Sequence, residues 1–268
     1  MTRRNGRVAP LVSYHYLVVS RRDPISPDQP SSAIAWVRHA FRSRGFRGAL
    51  RYYVEGAVEL LRGLTPERRK SRYGDIDYDF DHGVDTTWAT VSLRTRIREL
   101  LSGGQYQPSE PELFHQIMKA LPVAADGFTF IDLGSGKGRT LLMASDYQFQ
   151  RILGVELLAE LNQVAQRNIA HYRSDQQRCL AIESQAGDAR NFVFPNEPIV
   201  LYLFNPFPDY VLRTVLANLR ASLPAAPRDV LIVYHNLVHE HVFCEQEWLS
   251  PVYRTHQFAI YKAQPSRI

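Results

Sequence analysis

From residue 128 to the end of the chain, short apolar runs alternate with longer stretches in which apolar residues recur every three or four positions. The first pattern predicts strands and the second predicts amphipathic helices. Because β-branched strands alternate with helices, the pattern indicates an α/β fold: a doubly wound, mostly parallel sheet with helices on both faces. The last strand is expected to be antiparallel. The predicted strands are FTFIDLG, RILGVEL, CLAIESQ, IVLYLFN, DVLIVYHN and HQFAIYKA.

The N-terminal part of the chain follows a different pattern. Residues 33–63 have the helical period, with arginines opposite the apolar positions, and Gly45 and Gly48 mark a break between two predicted helices. Another helix is expected to begin near Ser109, where a serine precedes Glu-Pro-Glu. The expected organisation is a flexible basic leader (1–30), an Arg-rich helical extension (31–72), covering loops with a helix (73–127) and the sheet domain (128–268).

Charge is distributed unevenly along this basic chain, whose net charge is +5. Residues 1–72 hold 15 Lys+Arg against 5 Asp+Glu, whereas the remaining residues hold 17 against 22. A basic N-terminal region is typical of a solvated helix face, a nucleic-acid contact or an anionic membrane surface, and all three interpretations stay open here. An anionic partner, either a nucleic acid or a membrane surface, is therefore one alternative, and a solvated helix face is the other.

Several classes of protein are disfavoured by composition. No apolar run approaches the ~20 residues of a membrane span, and the N-terminus makes a poor signal peptide. Cys179 and Cys244 are interpreted as reduced packing residues of a cytoplasmic protein. No CxxC or HExxH spacing is present, so no metal site is expected. The oligomeric state is not indicated by the sequence.

The stretch FIDLGSGKGRT, residues 130–140, spans the end of the first predicted strand and the start of the next helix. A phosphate-binding P-loop requires G-x-x-x-x-G-K-[ST], but Ile131 stands where the first glycine would be and Gly138 follows the lysine. A dinucleotide fingerprint requires G-x-G-x-x-G, whereas Gly134, Gly136 and Gly138 are spaced one residue closer. The turn therefore fits neither phosphate motif.

Asp132 lies at the end of this strand, just before the glycines. A carboxylate beside a pyrophosphate would place two anions in one low-dielectric cleft, so the turn suits a ligand that carries a cation. S-adenosylmethionine carries an ammonium and a sulfonium and has no phosphate. The glycines let the backbone approach its methionine part closely. Lys137 is expected to be solvated at the helix start.

The motif DLGSGKG resembles the first motif of class I S-adenosylmethionine-dependent methyltransferases, which have a Rossmann-like sheet. The resemblance continues in order with GVE, AGDAR and YLFNPF, each at the carboxyl end of a predicted strand, where open α/β sheets bind ligands. It implies that Glu156 binds the ribose hydroxyls and that Asp188 recognises the adenine amine. The cofactor-binding residues implied in this way are Asp132, Gly134, Ser135, Gly136, Gly138, Glu156, Asp188 and Ala189.

A narrower resemblance covers about residues 73–236. The strings QYQPSEPE, FIDLGSGKGR, GVE and FNPF are similar to a bacterial methyltransferase group that itself resembles the Dot-type histone lysine methyltransferases. This resemblance implies that Tyr106 and Ser109 belong to a loop over the cofactor, although an ordinary helix N-cap also explains Ser109. It implies an amine acceptor, with a protein lysine as the first hypothesis.

The acceptor is expected where the fourth predicted strand ends, at Asn205, Pro206 and Phe207. In amino-methyltransferases with an N-P-P-aromatic motif, the asparagine holds the target amine, and here Phe207 replaces the second proline. Tyr234 completes the predicted catalytic set, and its neighbour His235 has both a structural and a general-base interpretation. A desolvated aromatic channel would lower the pKa of a lysine amine. The predicted channel residues are Tyr202, Phe204, Phe207 and Tyr234.

The segment YGDIDYDFDHGVDT is interpreted as an acidic loop. An EF-hand is excluded, because its sixth and twelfth positions would be Phe80 and Thr86 rather than Gly and Glu. Two interpretations stay open: a solvated loop, and an acidic lid that attracts a cationic acceptor.

Three functions remain after these observations. The first is a protein lysine methyltransferase, and the second is an RNA or DNA base-amine methyltransferase that binds through the basic N-terminal region. The third is a noncatalytic interaction protein on the same fold, which the complete set of glycines with Glu156 and Asp188 disfavours. A small-molecule acceptor is also compatible with the sequence.

Overall fold

The computed structural model describes residues 33–62, 76–87, 91, 92, 95, 97, 107–204 and 207–264. The predicted leader over residues 1–30 lies outside these ranges. The organisation into a leader, an extension, covering loops and a catalytic domain stays a prediction.

Within the described residues, seven strands form one sheet in the order β3-β2-β1-β4-β5-β7-β6. Strands β1 to β5 pair in parallel, and β7 is antiparallel to both β5 and β6. The predicted doubly wound sheet and its antiparallel last strand are confirmed. Strand order reverses between β1 and β4, which makes this point the topological switch of the sheet. The strands are β1 (Thr129–Leu133), β2 (Arg151–Glu156), β3 (Ile182–Ala186), β4 (Ile199–Phe204), β5 (Val230–His235), β6 (Leu249–Arg254) and β7 (Phe258–Ala263).

Helices cover both faces of the sheet. Described helices are α1 (Ala33–Arg62), α2 (Ile76–His82), α3 (Pro111–Lys119), α4 (Arg139–Ala144), α5 (Ala159–His171), α6 (Asp209–Ser222) and α7 (Glu240–Cys244). The predicted break in the first helical segment is present at Gly45, whose φ of 66° and ψ of 167° are not helical. No helix in the described ranges is long and apolar enough to cross a membrane.

The structure adds four elements that the sequence pattern did not predict, one of them the 3₁₀ helix Ala189–Asn191 that follows β3. The acidic segment was expected to be a loop, but it forms α2, in which Asp79 is buried and Tyr78 is half-buried while the flanking Asp77 and Asp81 are exposed. Strand β6 was missed because it contains Pro251, which an outermost strand tolerates. Helix α7 is only five residues long, too short to show a period.

Apolar side chains from the two faces of the sheet form two core clusters. Leu201 and Leu203 of β4 pack into the cluster covered by α6 and α7. Val200 and Tyr202 alternate with them and pack into the cluster covered by α3 and α4. This alternation, the two-residue period of a strand, decides which strand-end residues share a face.

Candidate active site

The carboxyl ends of β1, β2 and β4 meet at one edge of the sheet. The glycine turn leaves β1 at this edge and leads into α4, as predicted. Gly134, Gly136 and Gly138 have φ values of 91°, 55° and 85°, a region that side chains other than glycine rarely adopt. A Cβ on Gly138 would also lie 3.1 Å from the Cβ of Ala165 on α5. The turn therefore needs glycine for its backbone conformation and, at Gly138, for its packing.

Asp132 is buried at the start of this turn. Burial raises the pKa of its carboxyl to about 7, a hydrogen bond from the Thr140 side chain acts in the opposite direction, and the nearby Glu156 carboxylate adds to the rise. An ionised carboxylate in such a place is stabilised by a cation. The electrostatics of Asp132 therefore favour a positively charged ligand at the turn.

Glu156 points from the end of β2 into the same turn. Its Oε2 accepts a hydrogen bond of 2.8 Å from the Gly136 amide, and its Oε1 accepts one of 2.8 Å from the Leu158 amide. Burial raises its pKa, and these amides act in the opposite direction. The structure thus brings Asp132, Gly136 and Glu156 together, as the sequence predicted.

Ser135 occupies a tight position between the turn and β2. Its Oγ is buried and has no hydrogen-bond partner among the residues that the structure describes. A Cβ on Gly154 of β2 would lie 2.8 Å from that Oγ and 2.6 Å from Cδ1 of Leu141. The glycine of the GVE motif is therefore required for the close approach of the turn to β2.

Asp188 follows β3, where an adenine contact was expected, but its carboxylate is engaged with Arg190. It accepts hydrogen bonds from the Arg190 backbone amide (3.0 Å) and from Nε (2.8 Å to Oδ1), and Nη2 of the guanidinium also donates to it. Burial alone would raise the pKa of Asp188, but the bonds from Arg190 outweigh it and the pKa is lowered. The adjacent Ala189 is buried in the core. To recognise adenine, Asp188 would have to exchange its hydrogen bonds with Arg190 for hydrogen bonds with the adenine amine.

Lys137 was expected to be solvated, and this expectation is wrong. The side chain is buried, and its Nζ donates to Oδ1 of Asp85 at 2.8 Å and to the carbonyl of Thr87 at 2.9 Å. Asn168 of α5 donates to the carbonyls of both Asp85 and Lys137, each at 2.9 Å. Lys137 therefore joins the glycine turn to the segment over residues 83–87.

Arg139 makes a second connection to the same segment. Its Nε donates to Oγ1 of Thr86 at 2.6 Å, and its Nη2 lies 3.3 Å from Oδ1 of buried Asp79. The other oxygen of Asp79 accepts from the amides of Thr86 (2.7 Å) and Thr87 (2.8 Å). We call this network, which comprises Asp79, Asp85, Thr86 and Thr87 with Lys137 and Arg139, the clasp.

The clasp corrects the interpretation of the acidic segment. Asp79 and Asp85 face the two basic residues of the glycine motif rather than an acceptor channel. Neither side chain is therefore available as part of an acidic lid. The basic residues of GSGKGR and the aspartates ahead of them were each visible in the sequence, but nothing in their spacing showed that they pair.

A buried polar chain lies at the ends of β4 and β5. Tyr202 hydroxyl is hydrogen-bonded to Nδ1 of His235 (2.8 Å) and to Oγ of Ser109 (3.2 Å). Ser109 lies two residues before α3, and its hydroxyl serves this contact rather than a helix cap. Phe204 stacks on the His235 ring at 3.9 Å between centroids. Burial lowers the pKa of His235 to about 4, which keeps the imidazole neutral.

The four predicted channel residues do not line one channel. Tyr202 and Phe204 face the α3 and α4 side of the sheet, whereas Tyr234 and Phe207 pack against the cluster on the other side. The Tyr234 hydroxyl accepts a bond of 3.0 Å from the His239 amide, and its ring lies 4.6 Å from that of Phe243. The expectation that Tyr234 lines a channel with Tyr202 is therefore wrong. Three further predicted site residues lie outside the described ranges: Tyr106, Asn205 and Pro206.

The comparisons with known proteins found similarity in structure. No family model and no curated protein matches the chain. An RNA methyltransferase from Salinibacter ruber, solved with S-adenosyl-L-homocysteine, is 19% identical with a TM-score of 0.41, and the alignment covers 60% of this chain and 96% of that one. A dimethyladenosine transferase from Plasmodium falciparum is 12% identical with a TM-score of 0.43, covering 60% of this chain and 63% of that one.

A predicted N6-adenine-specific DNA methylase from Listeria monocytogenes is 13% identical with a TM-score of 0.44, and the alignment covers 60% of this chain and 53% of that one. The chain thus spans less than two thirds of the Plasmodium and Listeria proteins. At these identities and TM-scores the likenesses do not extend to an activity or a substrate of this chain.

Proposed function

We propose that the chain binds S-adenosylmethionine and transfers its methyl group to an amine acceptor. The observation that carries this proposal is the convergence of two buried carboxyl groups, Asp132 and Glu156, on a turn of positive-φ glycines at the switch point of the sheet. The proposed ligand must present a cation to one carboxyl group and hydroxyl groups to the other.

The residues of the turn fit this ligand. Asp132 is a buried carboxyl whose pKa lies near neutrality, so an adjacent ammonium would favour its ionised form. The unpartnered Oγ of Ser135 offers a further polar contact beside the turn. A pyrophosphate would instead be repelled by both carboxylates. The turn thus favours a cationic nucleoside ligand over NAD.

Each part of the site has a distinct task in the proposed reaction. Glu156 can accept bonds from two ribose hydroxyls, which would replace its bonds to the Gly136 and Leu158 amides. Asp132 would hold the ammonium, and Asp188 would reach the adenine amine after exchange with Arg190. When bound, S-adenosylmethionine supplies a methyl group on a sulfonium. The chain then has to align an acceptor nitrogen with that methyl group and exclude water.

The acceptor that we favour is an amine that is uncharged at neutral pH, such as the exocyclic amine of a nucleic-acid base. A lysine must first lose a proton, which costs about 4.6 kcal/mol at pH 7. The clasp occupies Asp79 and Asp85, which would otherwise attract such a cation. A lysine acceptor, favoured by the resemblance to the Dot-type enzymes, is thereby the second candidate.

Incubation of the protein with methyl-labelled S-adenosylmethionine and a cell extract tests this function. We expect the label in a fraction that nuclease digestion releases, with no incorporation by the Glu156→Ala variant. Label in a protease-sensitive fraction would support the lysine acceptor instead. Failure to label any fraction, together with no calorimetric binding of S-adenosylhomocysteine, would refute the proposed function.

Affinity for the cofactor is expected to depend on the ionisation of Asp132. Below the pKa of about 7, Asp132 is protonated and must lose this proton to bind an ammonium. The dissociation constant should therefore rise about tenfold for each unit by which the pH falls from 6.5 to 5.5. Above pH 7 the dependence should flatten. Calorimetric titrations with S-adenosylhomocysteine across this range, repeated with Asp132→Asn, measure the effect. An equally steep pH dependence in Asp132→Asn would show that another group is responsible.

A further inference from the structure

One buried polar chain at the carboxyl edge of the sheet has no task in the proposed methyl transfer. It runs from Ser109, ahead of α3, through the Tyr202 hydroxyl of β4 to Nδ1 of His235, the last residue of β5. Tyr202 is registered with Asp132 of β1, so its side chain faces the same side of the sheet as that carboxyl group. The chain thus extends from the proposed ammonium site to the end of β5.

The protons of this chain can be arranged in two ways. Burial lowers the pKa of His235 to about 4, so its neutral imidazole carries a single N–H. Burial raises the pKa of the Tyr202 hydroxyl, the bond with Ser109 acts in the opposite direction, and the Asp132 carboxyl adds to the rise. The hydroxyl therefore keeps its one proton, and Tyr202 donates to one of its two partners and accepts from the other.

The burial of Ser109 selects one of these arrangements. If Tyr202 donated to Ser109, the serine proton would have no acceptor among the described residues, in a residue that is only 2% exposed. A buried donor without an acceptor is costly. If Ser109 donates to Tyr202 and Tyr202 donates to Nδ1, both buried protons are bonded, and the imidazole proton is on Nε2.

The Nε2–H group is held in a fixed orientation beside the end of β4. His235 is registered with Phe204, the last residue of β4, and the two rings stack with centroids 3.9 Å apart and planes 8° from parallel. Stacking fixes the plane of the imidazole, and the bond with Tyr202 fixes its rotation within that plane. Within the described ranges only Nδ1 of this ring is bonded, so the Nε2 proton is available to a ligand.

We propose that His235 is a specificity-determining residue, whose Nε2–H donates a hydrogen bond to an unprotonated ring nitrogen of the acceptor base. This inference rests on the proposed function. The base it selects has an exocyclic amine next to that ring nitrogen, as adenine and cytosine do on their Watson–Crick edges. The amine would face the methyl group while the ring nitrogen accepts from His235. A lysine ammonium offers only donors to this position.

The proposal differs from the general-base interpretation of His235, because a neutral donor takes up no proton during the reaction. Long-range ¹H–¹⁵N NMR spectra of the full chain test the arrangement without any substrate. At neutral pH we expect the Nε2–H tautomer of His235, with the signal assigned by its loss in His235→Phe. Tyr202→Phe removes the donor to Nδ1 and should give a mixture of tautomers. An Nδ1–H tautomer or an imidazolium in the unmodified chain overturns the proposal.

Replacement of one atom in the substrate tests the recognition itself. Oligonucleotides with the sequence found in the labelling experiment are prepared with C–H in place of the ring nitrogen of the target base, as 1-deazaadenine or 3-deazacytosine. In the unmodified chain we expect kcat/KM to fall about tenfold more than in His235→Phe, because only the unmodified chain loses a hydrogen bond. Comparison between the two proteins cancels the change in the reactivity of the base.

A second histidine provides the matched control. His171 is exposed at the end of α5, and His171→Phe should respond to the replaced base as the unmodified chain does. His235→Phe should bind S-adenosylhomocysteine normally in calorimetry, which checks that the glycine turn is intact. An equal fall of kcat/KM in His235→Phe and the unmodified chain overturns the role of His235 and leaves the methyltransferase function standing. Label confined to a protease-sensitive fraction refutes the base acceptor and this recognition together.

Discussion

Replacement of Glu156 by alanine is expected to weaken the binding of S-adenosylhomocysteine about 100-fold. Glu156 is a buried carboxylate at the glycine turn, and we assign it two hydrogen bonds to the ribose. Each bond to a charged group contributes about 1.5–3 kcal/mol, and a loss of about 3 kcal/mol corresponds to a factor above 100. Isothermal titration calorimetry at pH 8, where the Asp132 carboxyl is mostly ionised, measures this change.

Two further variants separate recognition from folding. Glu156→Gln keeps one oxygen that can accept a hydrogen bond from a ribose hydroxyl, so we expect an intermediate loss of affinity of about tenfold. Glu183 lies exposed on the neighbouring strand β3, and Glu183→Ala should bind normally. If Glu156→Ala binds S-adenosylhomocysteine with wild-type affinity and has an unchanged melting temperature, Glu156 does not bind the ribose.

The second large effect is expected on stability, from Asp79→Ala in the clasp. The substitution leaves the buried Arg139 guanidinium without this carboxylate and removes the acceptor of the Thr86 and Thr87 amides. Removal of one partner of a buried ion pair typically costs about 3–5 kcal/mol. Urea denaturation should therefore show a free energy of unfolding lower by about this amount.

An exposed ion pair provides the comparison. Glu240 accepts bonds from Arg254 at 2.7 and 2.8 Å, but the arginine side chain is 59% exposed. Solvent screens a pair with such an exposed arginine, so Glu240→Ala should lower the free energy of unfolding much less than Asp79→Ala does. Equal effects of Asp79→Ala and Glu240→Ala would mean that segment 76–87 detaches without unfolding the sheet domain.

The sheet was predictable from the sequence because its strands are short, nearly uniform apolar runs. Gly134, Gly136 and Gly138 could also be placed, since they follow a buried strand and precede a helix. The proximity of Glu156 to this turn followed from the rule that carboxyl ends of parallel strands share one edge. The local sequence pattern was therefore sufficient to predict contacts between residues on neighbouring strands.

Contacts between distant segments were not predictable in this way. Lys137 lies 52 residues from its partner Asp85, and Arg139 lies 60 residues from Asp79. A charged residue beside a turn is usually solvated, and nothing local distinguishes the exceptions. The error at Lys137 and the interpretation of the acidic segment as a loop have the same physical origin, because burial of these charges depends on how the α2 segment packs.

The error at Tyr234 had a signal in the sequence. In the parallel pair β4 and β5, Tyr202 is registered with Val233, and Leu203 with Tyr234. Paired positions face the same side, so the two tyrosines face opposite sides of the sheet. Alignment of the runs IVLYLF and VLIVYH from their first residues gives this register directly. The alternation of side chains along a strand thus predicts which face of the sheet a residue lies on, whereas its position near the end of a strand does not.

Lys137 lies between Gly136 and Gly138, so the residue whose side chain donates to Asp85 belongs to the glycine turn itself. We expect the glycine turn and segment 76–87 to form one cooperative unit of local unfolding. Motion that opens the cleft must strain the clasp, and release of the clasp must loosen the cleft. On the proposed function, ordering of segment 76–87 and occupancy of the turn should therefore favour each other, through Lys137, Arg139 and Asn168 together.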